Sequence, residues 1–252
     1  MSTSLSKNIN DDYFNGYYKD IWRTIIPEEL TKAEVDFLIQ ESNLQTGNKV
    51  LDLMCGYGRH TLALARKGVE VTAIDNLADY INEIKEIAVK ENLPVTALQE
   101  NVIQFQPQRE YDLVICMGNS LSFFNWDESI SLYLMIASCL GRGCKFIFNT
   151  WMITEIVLKQ FKEKIWSYVG ETKFLADSKF LFSPARIEAE SIFIAPNGKT
   201  EVKKGIDYIY SLNETENMLR QSGFAIKDIW SIPGKKKFTV GEPRIYIVAK
   251  KI

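Results

Sequence analysis

From Lys49 onward the chain alternates short apolar runs with longer stretches in which apolar residues recur every three to four positions. Residues 49–53, 70–74, 95–98, 111–117 and 144–148 are each of strand length and rich in Val, Ile or Phe. Between them the helical period predicts helices over residues 60–67, stopped by Gly68, over 78–91, and over 127–139, closed by Leu140-Gly141. Alternating strands and helices build right-handed crossovers, so an α/β fold with a parallel sheet and helices on both faces is expected.

Two flanking regions break this rhythm. Residues 12–22 and 31–42 have helical spacing, the second opening on Thr31-x-x-Glu34, the pattern of a capping box that satisfies two free backbone N–H groups. After Thr150 the pattern turns to alternating, aromatic-rich stretches at 165–169, 174–175, 179–182, 186–194 and 200–210. The last two flank Pro196-Asn197-Gly198-Lys199, a hairpin signal because Asn and Gly both tolerate positive φ. Ser211-x-x-Glu214 then caps a helix to Ser222, ended by Gly223, and strands follow at 224–232 and 244–250. The segment between those strands is too short for a crossover helix, so they should pair antiparallel. One decorated domain is therefore expected: a helical cover over 1–45, a core from 46–154 and 211–252, and an antiparallel insertion over 155–210 that covers the substrate.

Composition narrows the chemistry. The 252 residues carry 30 Lys+Arg against 32 Asp+Glu, a net charge of −2. There is no basic excess to hold nucleic acid, and the one basic run, Lys235-Lys236-Lys237 beside Pro233-Gly234, reads as a solvated turn. A single histidine and four cysteines without a CxxC pair argue against a metal site and for buried thiols in a reducing compartment. With no basic-then-apolar leader and no run near the ~18 apolar residues of a membrane span, a cytoplasmic protein is expected.

The most informative stretch runs from Val50 to His60: a strand, a turn bearing Gly56 and Gly58, then a helix. Glycines there let a ligand approach the backbone, and the helix start presents unpaired N–H groups. Asp75, at the end of the second strand and 17 residues beyond Gly58, can accept hydrogen bonds from ribose hydroxyls. Together these point to a nucleoside ligand. A dinucleotide fingerprint needs a third glycine where this chain has Thr61, which disfavours NAD. Asp52 reads as a loop-organising carboxylate bonded to backbone N–H groups. His60, in a first helical turn, reads as a neutral neighbour of the site rather than a base. Cys55 lies near a helix start, but His60 on the adjoining helix is not opposed to it, so a Cys–His nucleophile is disfavoured. Cys116, Cys139 and Cys144 read as small core residues.

The stretch Leu51-Asp52-Leu53-Met54-Cys55-Gly56-Tyr57-Gly58-Arg59, continuing to Leu62-Ala63-Leu64-Ala65, resembles the cofactor motif of class I S-adenosylmethionine-dependent methyltransferases. Cys116 to Phe124, with Asn119-Ser120 and Phe123-Phe124, resembles a segment of their small-molecule branch. The closing Arg220–Phe224 and 244–250 segments resemble that family's last helix and strands. The departure is Met54, where most relatives carry the first glycine. The resemblance implies a Rossmann-like seven-stranded, mostly parallel sheet with an antiparallel last strand. It implies S-adenosylmethionine as cofactor, S-adenosylhomocysteine as its product and a small-molecule acceptor. Asp75 and Asn76 would serve the ribose, Glu100, Asn101 and Val102 the adenine, and Met54, Cys55, Gly56 and Gly58 the methionine portion, with His60 beside them. Cys116, Met117 and Gly118 would form the rim towards the methyl group. Phe14, Tyr18 and Trp22 recur every four residues, and Tyr18 and Trp22 are the expected cofactor cover. Asn119, Ser120, Phe123 and Trp151 follow strands four and five on the substrate side; no catalytic residue is assigned. Because an oxygen acceptor usually needs a base and none is evident, the reading leans to nitrogen. The alternatives are a non-catalytic S-adenosylmethionine-binding protein, with Met54 blocking productive placement, and a nicotinamide-dependent oxidoreductase.

Overall fold

The computed structural model describes residues 8–252, apart from the side chains of Asp20 and Trp22. Five strands, β1 (Lys49–Leu53), β2 (Glu70–Asp75), β3 (Val95–Gln99), β4 (Tyr111–Cys116) and β5 (Leu140–Thr150), run parallel in the order β3-β2-β1-β4-β5. Their helices are α1 (Tyr17–Ile25), α2 (Glu28–Ser42), α3 (Arg59–Ala65), α4 (Ala78–Glu91) and α5 (Trp126–Ser138). After β5 come α6 (Thr154–Gln160), an insertion of β6 (Lys164–Val169), β7 (Thr172–Phe182), β8 (Ala185–Ile194) and β9 (Thr200–Tyr208), and α7 (Leu212–Gln221). The closing strands are β10 (Phe224–Ile232), β11 (Lys236–Lys237) and β12 (Ile245–Lys251).

Strand β12 lies between β5 and β10, antiparallel to both, so the main sheet is mostly parallel with its last long strand reversed. It has eight strands rather than seven because β11 adds a two-residue edge to β10. Of the exposed basic run, Lys235 lies in the turn, while Lys236 and Lys237 form the sheet edge, where Lys237 pairs with Asp228 and stands 3.6 Å from the centroid of the Trp230 ring. Successive residues of a strand point to opposite faces. Phe146 and Phe148 pack with Leu132, Tyr133 and Phe224 under α5 and α7, while Ile147 between them packs with Val35, Leu38 and Val248 under α2. Burial on both faces is why these strands read as continuous apolar runs. Among the described residues no helix is long and apolar enough to cross a membrane.

Locally encoded ends match expectation. Helix α4 begins and ends at its predicted limits, closed by Asn92 at φ 52°. Helix α7 carries the Ser211–Glu214 capping box, and α5 carries one of the same kind from Asn125 and Glu128. Other boundaries move. Strand β5 starts directly at Leu140, so Leu140-Gly141 is strand and not a helix-closing loop. The stretches 174–175 and 179–182 are one strand, because Ala176, Asp177 and Ser178 pair in register with Ser191, Glu190 and Ala189; pairing outweighs their weak strand propensity. In the β8–β9 hairpin only Gly198 has positive φ, and the Asn197 side chain accepts from the Lys199 N–H.

The N-terminal segment departs most from expectation. Instead of one helix over 12–22 there is a 3-10 turn at Ile9–Asp12, a break at Gly16 (φ 65°), and then α1. The break follows from packing. A Cβ on Gly16 would lie 2.3 Å from Glu201 Oε2, and that same oxygen accepts the first helical N–H, from Tyr17, at 3.0 Å. Helix α2 starts three residues before the predicted Thr31, after Pro27, and the Thr31-x-x-Glu34 box does not form because Glu34 turns into the core.

Residues 8–18 form a strap between the insertion and the carboxyl end of the parallel strands. Asn8 Nδ2 donates to the Phe123 carbonyl at 3.0 Å and Tyr80 Oη donates to the Phe14 carbonyl at 3.0 Å. The Asn10 amide donates to the Ile206 carbonyl at 2.9 Å and accepts from its N–H at 3.0 Å, completing the edge of β9. Asn10→Ala strands both backbone groups of Ile206. It should cost about 1–3 kcal/mol, read by urea unfolding, with faster amide exchange at Ile206 as the local signature.

Candidate active site

The carboxyl ends of β1 to β4 open into a cavity of about 350 Å³, roofed by the strap. Its floor is the turn after β1, where three residues hold positive φ: Met54 at 53°, Gly56 at 55° and Gly58 at 76°. At Met54 the backbone keeps the left-handed conformation that glycine adopts freely, at a steric cost of about 1–2 kcal/mol; its side chain packs on the core beneath the cavity. The two glycines serve different ends. A Cβ on Gly56 would meet nothing within 4 Å, as would one on Gly118 at the end of β4, so both leave backbone bare to the cavity. A Cβ on Gly58 would lie 2.6 Å from Ile84 Cγ1. Gly58 is therefore dictated by packing of α3 on α4 and does not line the cavity.

Asp75 organises the centre. Its Oδ2 accepts the Gly56 N–H at 2.9 Å and its Oδ1 the Leu77 N–H at 3.0 Å, while its carbonyl accepts the Glu100 N–H at 3.0 Å. One residue thereby joins the loops after β1, β2 and β3. Burial raises the Asp75 carboxyl pKa against these bonds. Asn76 and the third loop, Glu100, Asn101 and Val102, also line the cavity. The Asn101 side-chain oxygen accepts the Ile103 N–H at 2.9 Å, leaving the amide donors to other partners.

Tyr18, Met54, Cys55, His60, Met117, Ser120 and Phe123 line the same space. Four predicted positions do not. Besides Gly58, Cys116 is fully buried in β4 and its thiol pKa is pushed up by burial. Asn119 is turned inward: its Oδ1 accepts from Thr150 Oγ1 at 2.6 Å, Trp151 N at 3.0 Å and Met152 N at 3.2 Å, clamping the end of β5. Trp151 lies on a second depression beside Arg244, whose guanidinium stands 5.5 Å from the indole centroid. Trp22's side chain falls outside the described residues. The strap's Asn10, Asp11 and Phe14, together with Tyr57, Arg59, Tyr80 and Glu128, also line it. Of these only Phe14 had a periodic signal; Asn10 is placed by a contact 196 residues away and Asp11 by one 65 residues away.

Behind the turn sits a buried carboxylate hub. Glu34 is 0% exposed; Arg59 Nη1 donates to its Oε2 at 2.5 Å, His60 Nε2 lies 2.9 Å from the same oxygen, and Tyr246 Oη donates to Oε1 at 2.6 Å. Burial opposes ionisation, yet His60, the Arg59 charge and the Tyr246 hydroxyl hold Glu34 at about 2. Burial, then Arg59, lowers the His60 pKa, and the bond to Glu34 opposes them. Asp52 is held by Thr61 through both its groups: Oγ1 donates to it at 2.6 Å and the backbone N–H bonds it as well, while burial pushes its carboxyl up to about 7.

The site is an acid-anchored glycine turn at the carboxyl edge of a sheet ordered β3-β2-β1-β4-β5-β12-β10. Residues 50–143 match the family model described as a methyltransferase domain, and the chain carries that domain. It is 35% identical over 91 residues to a ubiquinone biosynthesis O-methyltransferase of Photorhabdus laumondii, covering 35% of this chain and 38% of that protein. It is 28% identical over 115 residues to a glycine/sarcosine N-methyltransferase of Halorhodospira halochloris, covering 44% and 42%. The chain thus spans about two fifths of the length of these curated relatives. A crystal structure of an S-adenosylmethionine-dependent methyltransferase from Clostridium acetobutylicum superposes with a TM-score of 0.80 at 20% identity, covering 93% of this chain and 96% of that one.

The Glu34 hub makes a pH prediction. Its folded pKa of about 2 lies below the ordinary 4.5, so its stabilisation is present above pH 4.5 and is lost as pH falls towards 2. Between pH 6 and pH 3 this loss should be about 2 kcal/mol. Glu34→Gln should remove that part of the acid slope, measured as the wild-type minus variant difference in denaturant unfolding across the pH series.

Proposed function

We propose that this chain transfers a methyl group from S-adenosylmethionine to a small-molecule acceptor. The observation that carries the reading is the Gly56 N–H bond to Asp75 at 2.9 Å, which holds a bare glycine turn and a buried acid on one cavity. The open Cβ positions of Gly56 and Gly118 make a cradle that a ligand fits and a side chain would fill. Asp75 accepts the ribose hydroxyls on its remaining lone pairs. Asn101 and Val102 face the adenine, the Met54–Gly56 turn the methionine portion, and Ser120 with Phe123 the acceptor. When bound, S-adenosylmethionine supplies an electrophilic methyl carbon: the acceptor lone pair bonds to it as the sulfur–carbon bond breaks and sulfur keeps that pair.

The chain's own contribution is alignment and exclusion of water. The strap and the 155–210 insertion act as the cover, joined through Asn10–Ile206 and Tyr17–Glu201. The near-neutral charge supports a small acceptor rather than a nucleic acid, and four free cysteines support a reducing, cytoplasmic setting. One of the relatives named above is an O-methyltransferase and the other an N-methyltransferase. Nitrogen is favoured here because an oxygen acceptor usually needs a base and none is assigned; His60 is buried in the Glu34 hub.

Asp75→Ala deletes the ribose acceptor and the anchor of the glycine turn. It should weaken S-adenosylmethionine binding by about 1.5–3 kcal/mol, roughly tenfold to a hundredfold in Kd, measured by calorimetry. Unchanged affinity in a folded variant would refute the assignment.

A further inference from the structure

The carboxyl edge of the sheet carries more than the cavity over β1 to β4. Over its other half, where β5 ends, β12 starts and β10 turns away, the second depression holds about 490 Å³ and shares no lining residue with that cavity. Small-molecule sites have this size. Leu30, Ile232, Pro233 and Pro243 give it apolar walls, and Ile232 is 50% exposed.

Arg244 supplies the charge. Its guanidinium stands 5.5 Å from the Trp151 ring centroid, where the indole attracts it, and Nη1 donates to Tyr246 Oη at 3.2 Å. A guanidinium has five N–H donors in a planar fork. Among the described residues the Arg244 Nε and Nη2 groups meet no acceptor, and neither is sealed from solvent. The nearby carboxylates already have partners. Glu34 Oε1 lies 3.7 Å from Nη1, an ion pair longer than a hydrogen bond, while Arg59 donates to the same carboxylate at 2.5 Å and Tyr246 at 2.6 Å. Glu242, two residues before Arg244, pairs with Lys236. A second cation stands by this loop, since a Cβ on Gly241 would lie 3.3 Å from Lys159 Nζ. Apolar walls thus surround a guanidinium fork with donors to spare.

We propose that this depression is a second ligand site, which takes a small molecule with a carboxylate head and an apolar body. The head pairs with the Arg244 fork, whose geometry a carboxylate matches with two parallel bonds. The body lies against Leu30, Ile232 and the two prolines, which removes apolar surface from water. The site is separate from the cofactor cavity: Glu34 stands between them, bonded to Tyr246 of the depression and to Arg59 and His60 of the cavity. Cofactor and carboxylate are therefore bound together, and the carboxylate ligand is not the methyl acceptor.

Calorimetry on the protein saturated with S-adenosylhomocysteine, which fills the cofactor cavity, compares cyclohexanecarboxylate with cyclohexylmethanol and phenylacetate with 2-phenylethanol. The expected result is at least a tenfold preference for one carboxylate over its alcohol, lost in Arg244→Gln and reduced in Arg244→Lys, which keeps the charge without the fork. Arg244→Lys carries the test alone if Arg244→Gln does not fold. Three outcomes overturn the proposal: no carboxylate preference in the wild type, a preference undiminished in the variants, or methylation of the bound probe when S-adenosylmethionine replaces S-adenosylhomocysteine, which makes it the acceptor. If the wild type does not bind S-adenosylhomocysteine, the methyltransferase reading fails instead, and the same titrations on the protein without nucleoside still decide the site.

Discussion

The bond from the Gly56 N–H to Asp75 is the constraint on which the site depends. It spans two parallel strands at their carboxyl ends, where β1 and β2 pair up to Leu53 and Ile74 and the backbone ladder stops. Beyond the ladder each loop needs a new source of order. Asp75 supplies it to three loops at once, through its two oxygens and its own carbonyl. The positive φ values of Met54 and Gly56 are tolerable because the turn is pinned from outside, by Asp75 on Gly56 and by the Ile74 carbonyl on Cys55. A strained turn survives where its surroundings over-determine it.

What could be read from the sequence was what short-range chemistry decides. The limits of α4 and the Ser211 cap of α7 depend on residues within one turn of each other. The glycine turn and Asp75 were legible because a strand, a bare turn and an acid each leave a mark in the pattern. Glu34 shows where this stops. Thr31-x-x-Glu34 fits a capping box, but the carboxylate is claimed by Arg59, His60 and a tyrosine 212 residues away, and no local pattern encodes that competition. Asn119 is similar: its place after β4 was legible, but the direction of its amide is set by three donors at and just beyond the end of β5.

The strap was the least legible part, and the reason is physical. Its conformation is held by side-chain amides acting as substitute backbone: Asn10 on Ile206, Asn8 on Phe123, and Asn76 on the Asp11 carbonyl at 3.2 Å. Such contacts carry no period. They also make the cover a joint product of two regions far apart in the chain, since Gly16 and Gly205 are small where Glu201, Asn10 and Tyr13 crowd against them. The strap and the insertion are complementary surfaces, and the contacts with β9 hold the strap where it lines the cavity.

That joint construction bears on how charge is distributed round the site. Within the core, Glu34 is answered by Arg59 and Asp52 by the Thr61 hydroxyl. Asp207 instead lies at the seam between β9, the strap and the Ser120–Phe123 turn, where its neighbours are hydroxyls and rings. Burial at the seam raises the Asp207 carboxyl to about 6 against its one hydroxyl bond. The same packing that joins the strap to β9 therefore takes a carboxyl group out of water where the two meet.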